Sequence, residues 1–184
     1  MRNSPTCTPV WRRLQVPSPM TLDDFHYVLQ QVFEWENAHM HQFRVPRRDH
    51  EHRFRPMGMA GLPSADSDYE PEDRASLGGQ LVDVGDELFY DYDFGDGWCV
   101  RVVAEEFDPD TFDDEGVVVL DGSGTAPLED VGGVWGWSEF LAAVNDPQHN
   151  RHDELMEWAG LEPGERIDPT FFDAAAANRR LSRR

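Results

Sequence analysis

The chain has 184 residues, 39% of them hydrophobic, which suits one domain with a real but rather polar core. Its 36 acidic and 16 basic residues leave a net charge of −20, which excludes a general binder of phosphate backbones unless the arginines gather on one face. No run approaches the length of an apolar membrane span, and the opening MRNSPTCTPVWRR lacks an apolar signal core, so neither a membrane span nor a secretory leader is expected.

VWRRLQVP, bounded by prolines, alternates and reads as a strand. TLDDFHYVLQQVFEW reads as a helix from Thr21 to about Trp35. Thr21 is its cap, Asp24 the partner three residues on, and Leu22, Phe25, Leu29 and Val32 form one apolar stripe. HMHQFRV reads as a strand ending at Pro46. Residues 46–80, with four prolines and many acids, read as a long, partly disordered surface excursion, whose length marks either a flexible insertion or structure that the local pattern misses. ELFYDYDF alternates, with Leu88, Tyr90, Tyr92 and Phe94 on one face, and WCVRVVAEE places Trp98, Val100 and Val102 on one face. Asp96-Gly97 between them is the signal for a tight hairpin turn. VVVL is a short strand, and DGSGTAPLEDVGGVWG reads as loop. Three helical segments follow. One starts at Ser138, one ends at Gly160, and one has Asp168 as cap with Pro169 in its first turn. The fold class expected is α+β, a mostly antiparallel sheet with a central β-hairpin, packed against an N-terminal helix and a C-terminal group of helices. A single domain covers residues 9–184.

Three stretches carry candidate chemistry. YDYDFGDGW packs three carboxylates and four rings into nine residues. Asp in a turn accepts backbone N–H bonds and Gly97 supplies positive φ, so turn chemistry accounts for most of it. Asp93 is expected on the face opposite the rings. The alternative puts Asp91, Asp93 or Asp96 on a pocket rim, where a cation needs further oxygens from other segments. His39 and His41, two apart on a strand, share a face and could hold a transition metal if a third ligand joined them. PLEDVGGVWGW brings Glu129 and Asp130 towards the hairpin, with Trp135 as the ring that staples the loop. Motifs for phosphate loops, dinucleotides, nucleophilic serines and zinc proteases are absent from the sequence. Cys7 and Cys99 form neither a metal pattern nor a disulfide framework, and a reduced cytoplasm is expected.

Taken together, PVWRRLQVP, TLDDFHYVLQQVFEWENAHMHQF, VGDELFYDYDFGDGW, PLEDVGGVWGWSEFLAAVNDP and ELMEWAG resemble the Ri-plasmid ORF-three-like family, whose members carry labels of insertion-element passenger proteins. The resemblance implies a compact α+β domain and brings no settled activity. Relatives place a histidine and three cysteines where this chain has Val100, Val119, Ala126 and Val131. One His and three Cys would make a closed zinc site, so the resemblance implies a structural metal there in relatives and apolar packing here. Relatives also carry a strand before the P-x-W-R-R segment. Only ten residues precede Trp11, so either residues 1–8 hold a truncated remnant or the chain begins further upstream.

The function expected is a non-enzymatic binding or interaction module, with no resident cofactor, for an unknown protein or small ligand. Its surface lies between the hairpin turn, the strand at 39–43 and the loop at 127–137. Asp93, Asp96, His39, His41, Glu129 and Asp130 supply polarity there, and Tyr92, Trp98 and Trp135 supply shape. One alternative is a metal-assisted hydrolase using the hairpin carboxylates with His39 or His41. It requires at least three such groups in one place. Another is a DNA-associated accessory protein of a mobile element, which requires clustered arginines.

Overall fold

The stripe on the first helix is the side around which the fold closes. In the computed structural model, which describes residues 9–56, 69–108 and 116–182, α1 spans Leu22–Phe33 and buries Leu22, Phe25, Leu29 and Val32. Thr21 caps it as expected. Its Oγ1 accepts from the Asp24 N–H at 3.1 Å and donates to Asp24 Oδ2 at 3.1 Å.

The chain order is β1 (Trp11–Gln15), α1, β2 (His41–Pro46), β3 (Glu51–Arg55), β4 (Tyr69–Pro71), a 3-10 turn (Glu72–Arg74), α2 (Leu77–Gln80), β5 (Glu87–Tyr92), β6 (Trp98–Val103) and β7 (Val118–Ser123), followed by α3 (Gly133–Asn145), α4 (His152–Trp158) and α5 (Ala174–Leu181). A five-stranded sheet has the order β4-β3-β2-β5-β6, and β1 pairs with β7 in a separate two-stranded sheet. All pairings are antiparallel except β3–β4. The fold is therefore α+β and mostly antiparallel, with the β5–β6 hairpin in the larger sheet. Alternation on β5 buries Leu88, Tyr90 and Tyr92 beneath α1, beside Phe43 of β2 and Phe54 of β3. A second apolar cluster joins Trp137 and Phe140 of α3 to Leu155 and Met156 of α4.

Local reading of the sequence misplaced several elements, each for a tertiary reason. Part of the stretch expected as a flexible insertion is ordered: β3 pairs with β2, with Phe43 opposite Phe54. The Leu22 N–H bonds the Ala75 carbonyl at 2.8 Å, and Glu72 is buried against His41 at 3.0 Å. These partners are distant in sequence, so composition alone hides them. The part of that stretch at 57–68 lies outside the described residues, as does the 1–8 remnant. Asp168 does not cap the last helix. Residues 168–171 form a turn instead, closed by the Phe171 N–H on the Asp168 carbonyl at 3.1 Å, and the Pro169 and Thr170 carbonyls accept from the Thr125 and Gly124 N–H groups, which holds that turn against the chain after β7. Asp173 takes the cap, accepting from the Ala176 N–H at 2.9 Å. Finally, α3 begins at Gly133 rather than Ser138.

Phe94, expected on the buried face, lies past the end of β5 and is exposed. Phe43→Ala should therefore lower unfolding free energy by about 3–5 kcal/mol, as for other buried aromatic truncations. Phe94→Ala should stay within about 0.5 kcal/mol. Urea denaturation of the two variants checks the contrast.

Candidate functional site

The hairpin turn is built differently from the two-residue turn expected. Tyr92 pairs with Trp98, so residues 93–97 form the loop. Asp93 has φ of 52° and Gly97 φ of 71°, and the Gly97 N–H bonds the Asp93 carbonyl at 2.6 Å. The left-handed backbone turns the Asp93 side chain inward, where it is buried, instead of leaving it on the outer face of the strand. Its Oδ1 accepts from the Gly95 N–H at 2.9 Å and the Asp96 N–H at 3.3 Å. Asp96 looks the other way. Its Oδ2 accepts from the Gly132 N–H at 3.0 Å, which supplies α3 with the side-chain cap its own sequence lacks. Gly133, at φ of 67°, packs so close to the Asp96 carbonyl that a side chain there would collide.

The 127–137 loop is fixed to the chain just after α1. Trp35 Nε1 donates to the Pro127 carbonyl at 3.0 Å, and its ring stacks on Tyr92 at 4.8 Å. Glu129 Oε1 accepts from the Glu36 N–H at 2.8 Å and from the Tyr92 hydroxyl. Burial, reinforced by this bond to a carboxylate, raises the Tyr92 hydroxyl well above its ordinary pKa, so it stays a donor. Trp135, expected to staple the loop, points to solvent, and Trp137 is the buried ring. Trp98 is half-buried beside Trp35, with an indole N–H that finds no partner among the described residues.

These contacts converge on His39. Its Nε2 lies 3.7 Å from Asp93 Oδ2, 3.8 Å from Glu129 Oε2 and 3.3 Å from Asp130 Oδ1. Asp93 and Glu129 each have one oxygen committed to a locking bond and turn the other towards the imidazole. Asp130, at φ of 56°, is mostly exposed and leaves the cluster open on that side. Nε2 itself is buried and makes no hydrogen bond among the described residues. The ligating atoms of His39, Asp93 and Asp130 all lie within 4.8 Å of one another, so these residues could hold a metal ion.

His41 is not part of this group. β2 begins at His41 and His39 precedes it in a bend, so the pair does not share a face. His41 turns into the core, where its Nε2 is 3.0 Å from Glu72 Oε2 and its ring stacks on His26 at 3.6 Å. His26 Nε2 meets Asn37 Oδ1 at 2.9 Å and its Nδ1 meets the Tyr90 hydroxyl at 2.7 Å. This buried network anchors, through Asn37, the loop that carries His39. Sequence reading missed it. Its signal was His26 on the stripe side of α1, one turn after Leu22. Asp91 stays on the outer face. Burial alone would raise its pKa, but bonds from Arg44 and Gln42 hold it below the usual range. Val119 and Ala126 are buried in the larger cluster and Val100 packs against it, whereas Val131 packs against the second.

The sequence description that fits this chain, plasmid pRiA4b ORF-3-like protein, matches residues 4–176. The chain belongs to this family. It is 39% identical over 172 residues to the uncharacterised protein y4hQ of Sinorhizobium fredii, covering 92% of this chain and 79% of that one. Its fold is similar to the crystal structure of MM3350, a protein of unknown function from Methanosarcina mazei Go1. The TM-score is 0.73 and the identity 31%, over 90% of this chain and 88% of that one.

In this family member the turn and the cluster can be separated by mutation. Asp93→Asn keeps the acceptor at Oδ1 and should cost under about 1 kcal/mol. Asp93→Ala loses both turn bonds and should cost about 1–2 kcal/mol, in the range of lost caps. Chemical denaturation of the pair checks the ordering.

Proposed function

We propose that this protein is a non-enzymatic binding module, of plasmid and mobile-element ancestry, whose site recognises a cationic ligand. The observation that carries this reading is the ring of three carboxylates around a buried, unbonded imidazole nitrogen. Among the described residues, no arginine stands within ion-pair distance of Asp93, Glu129 or Asp130; His39 alone does. Packing like charges together in a partly dry site is unfavourable, and a bound cation relieves it. The plasmid description of the family supports the ancestry.

The arginines favour this reading over direct nucleic-acid binding. Arg13, Arg44, Arg101, Arg151 and Arg180 pair with carboxylates on different elements, so their charge is neutralised where it stands.

Thermal unfolding at constant ionic strength tests the reading, with alkylammonium, guanidinium and divalent cations as ligands. A ligand at a hundred times its Kd stabilises by about 2.7 kcal/mol, or about 5–10 °C for a chain of this size. The shift should saturate and disappear in the Asp93→Asn/Asp130→Asn double variant. An equal shift in that variant, or stabilisation only by anions, would contradict it.

A further inference from the structure

We infer that the cation is a first-row divalent metal of the zinc, cobalt or manganese kind, held by His39 Nε2, Asp93 Oδ2 and Asp130 Oδ1. This rests on the cation-binding reading above and names its ligand. Spacing separates a metal from an organic cation. Bonds of about 2.1 Å to a central ion place tetrahedral ligands about 3.4 Å apart and adjacent octahedral ligands about 3.0 Å apart. An ammonium hydrogen-bonded at about 2.8 Å spaces its acceptors about 4.6 Å apart. Nε2 stands 3.3 Å from Asp130 Oδ1 and 3.7 Å from Asp93 Oδ2, nearer the metal spacing than the ammonium one, and the ligating atoms of the three residues all lie within 4.8 Å of one another.

The state of the ligating atoms agrees. Nε2 makes no hydrogen bond among the described residues, which leaves it open to a ligand at the common centre. The Asp93 side chain is only 9% exposed, and its Oδ2 has no hydrogen-bond donor among the described residues. The donor set is one imidazole with carboxylates, which suits zinc, cobalt and manganese. Calcium and magnesium take all-oxygen shells with more ligands. Glu129 Oε2, 3.8 Å from Nε2 and held by the Tyr92 and Glu36 bonds to its other oxygen, lies outside this ligand group and adds negative charge beside it.

Isothermal titration of the full chain, freed of metal by chelation, with zinc chloride and then cobalt chloride tests the inference. One equivalent should bind saturably, and cobalt should develop visible absorption. Asp130→Asn should weaken binding about tenfold or more and His39→Gln further still, with circular dichroism unchanged in both. Magnesium and calcium should bind far more weakly. Absence of saturable binding by zinc, cobalt and manganese, or binding that both variants leave intact, would overturn the inference. If metals fail while an alkylammonium ion still binds and the variants abolish it, the metal falls and the cation-binding reading stands. If neither binds, both fall.

Discussion

One carboxylate holds the candidate site together. Glu129 Oε1 accepts from the Tyr92 hydroxyl and the Glu36 N–H, so it ties the loop before α3 to the end of β5 and to the segment after α1. Those are the three segments that bring Asp130, Asp93 and His39 together. Removing this acceptor would leave a buried hydroxyl and a backbone donor short of a partner and free the 127–132 segment from the sheet. The Trp35 bond to the Pro127 carbonyl works beside it, through a ring that also stacks on Tyr92.

The opposite pull comes from charge. In a chain of net charge −20, three carboxylates drawn around one imidazole oppose folding unless something positive joins them. The structure tolerates them because each of the two more buried acids has half of its carboxylate satisfied locally, Asp93 by its own turn and Glu129 by Tyr92 and Glu36. The remaining oxygens are left facing one nitrogen. Polar groups arranged this way are preorganised, since the ordering is done by the fold before any ligand arrives. Beneath them the His26–Tyr90–Gln30 bonds and the His41–Glu72 pair stiffen the floor.

The sequence carried the regular elements and hid the long-range ones. Period-2 alternation placed Leu88, Tyr90 and Tyr92 correctly, and Thr21 with Asp24 marked the start of α1, because both signals are local. His39, Asp93, Glu129 and Asp130 were legible as residue types near one another. Their roles were not, because those depend on backbone sign. Positive φ turns the Asp93 carboxylate inward and sets Asp130 at the open rim beside His39, and nothing in the residue types announces it for a non-glycine. His41 does not join His39 because the strand starts at His41 itself, two residues too late for a face shared with His39. Trp135 was chosen over Trp137 because α3 begins a turn earlier than expected, and Asp96 and Gly132, distant in sequence, set that start. Glu72 went unseen inside a stretch whose order depends on His41 and Leu22.

The central claim is that folding builds a mixed nitrogen–oxygen cation site at His39. Zinc-edge X-ray absorption of the zinc-loaded protein addresses it most directly. The account predicts a first shell of nitrogen and oxygen at about 2.0–2.2 Å with the outer scattering of a single imidazole. A shell containing sulfur, as from the free Cys99, or one without any imidazole contribution, would contradict it.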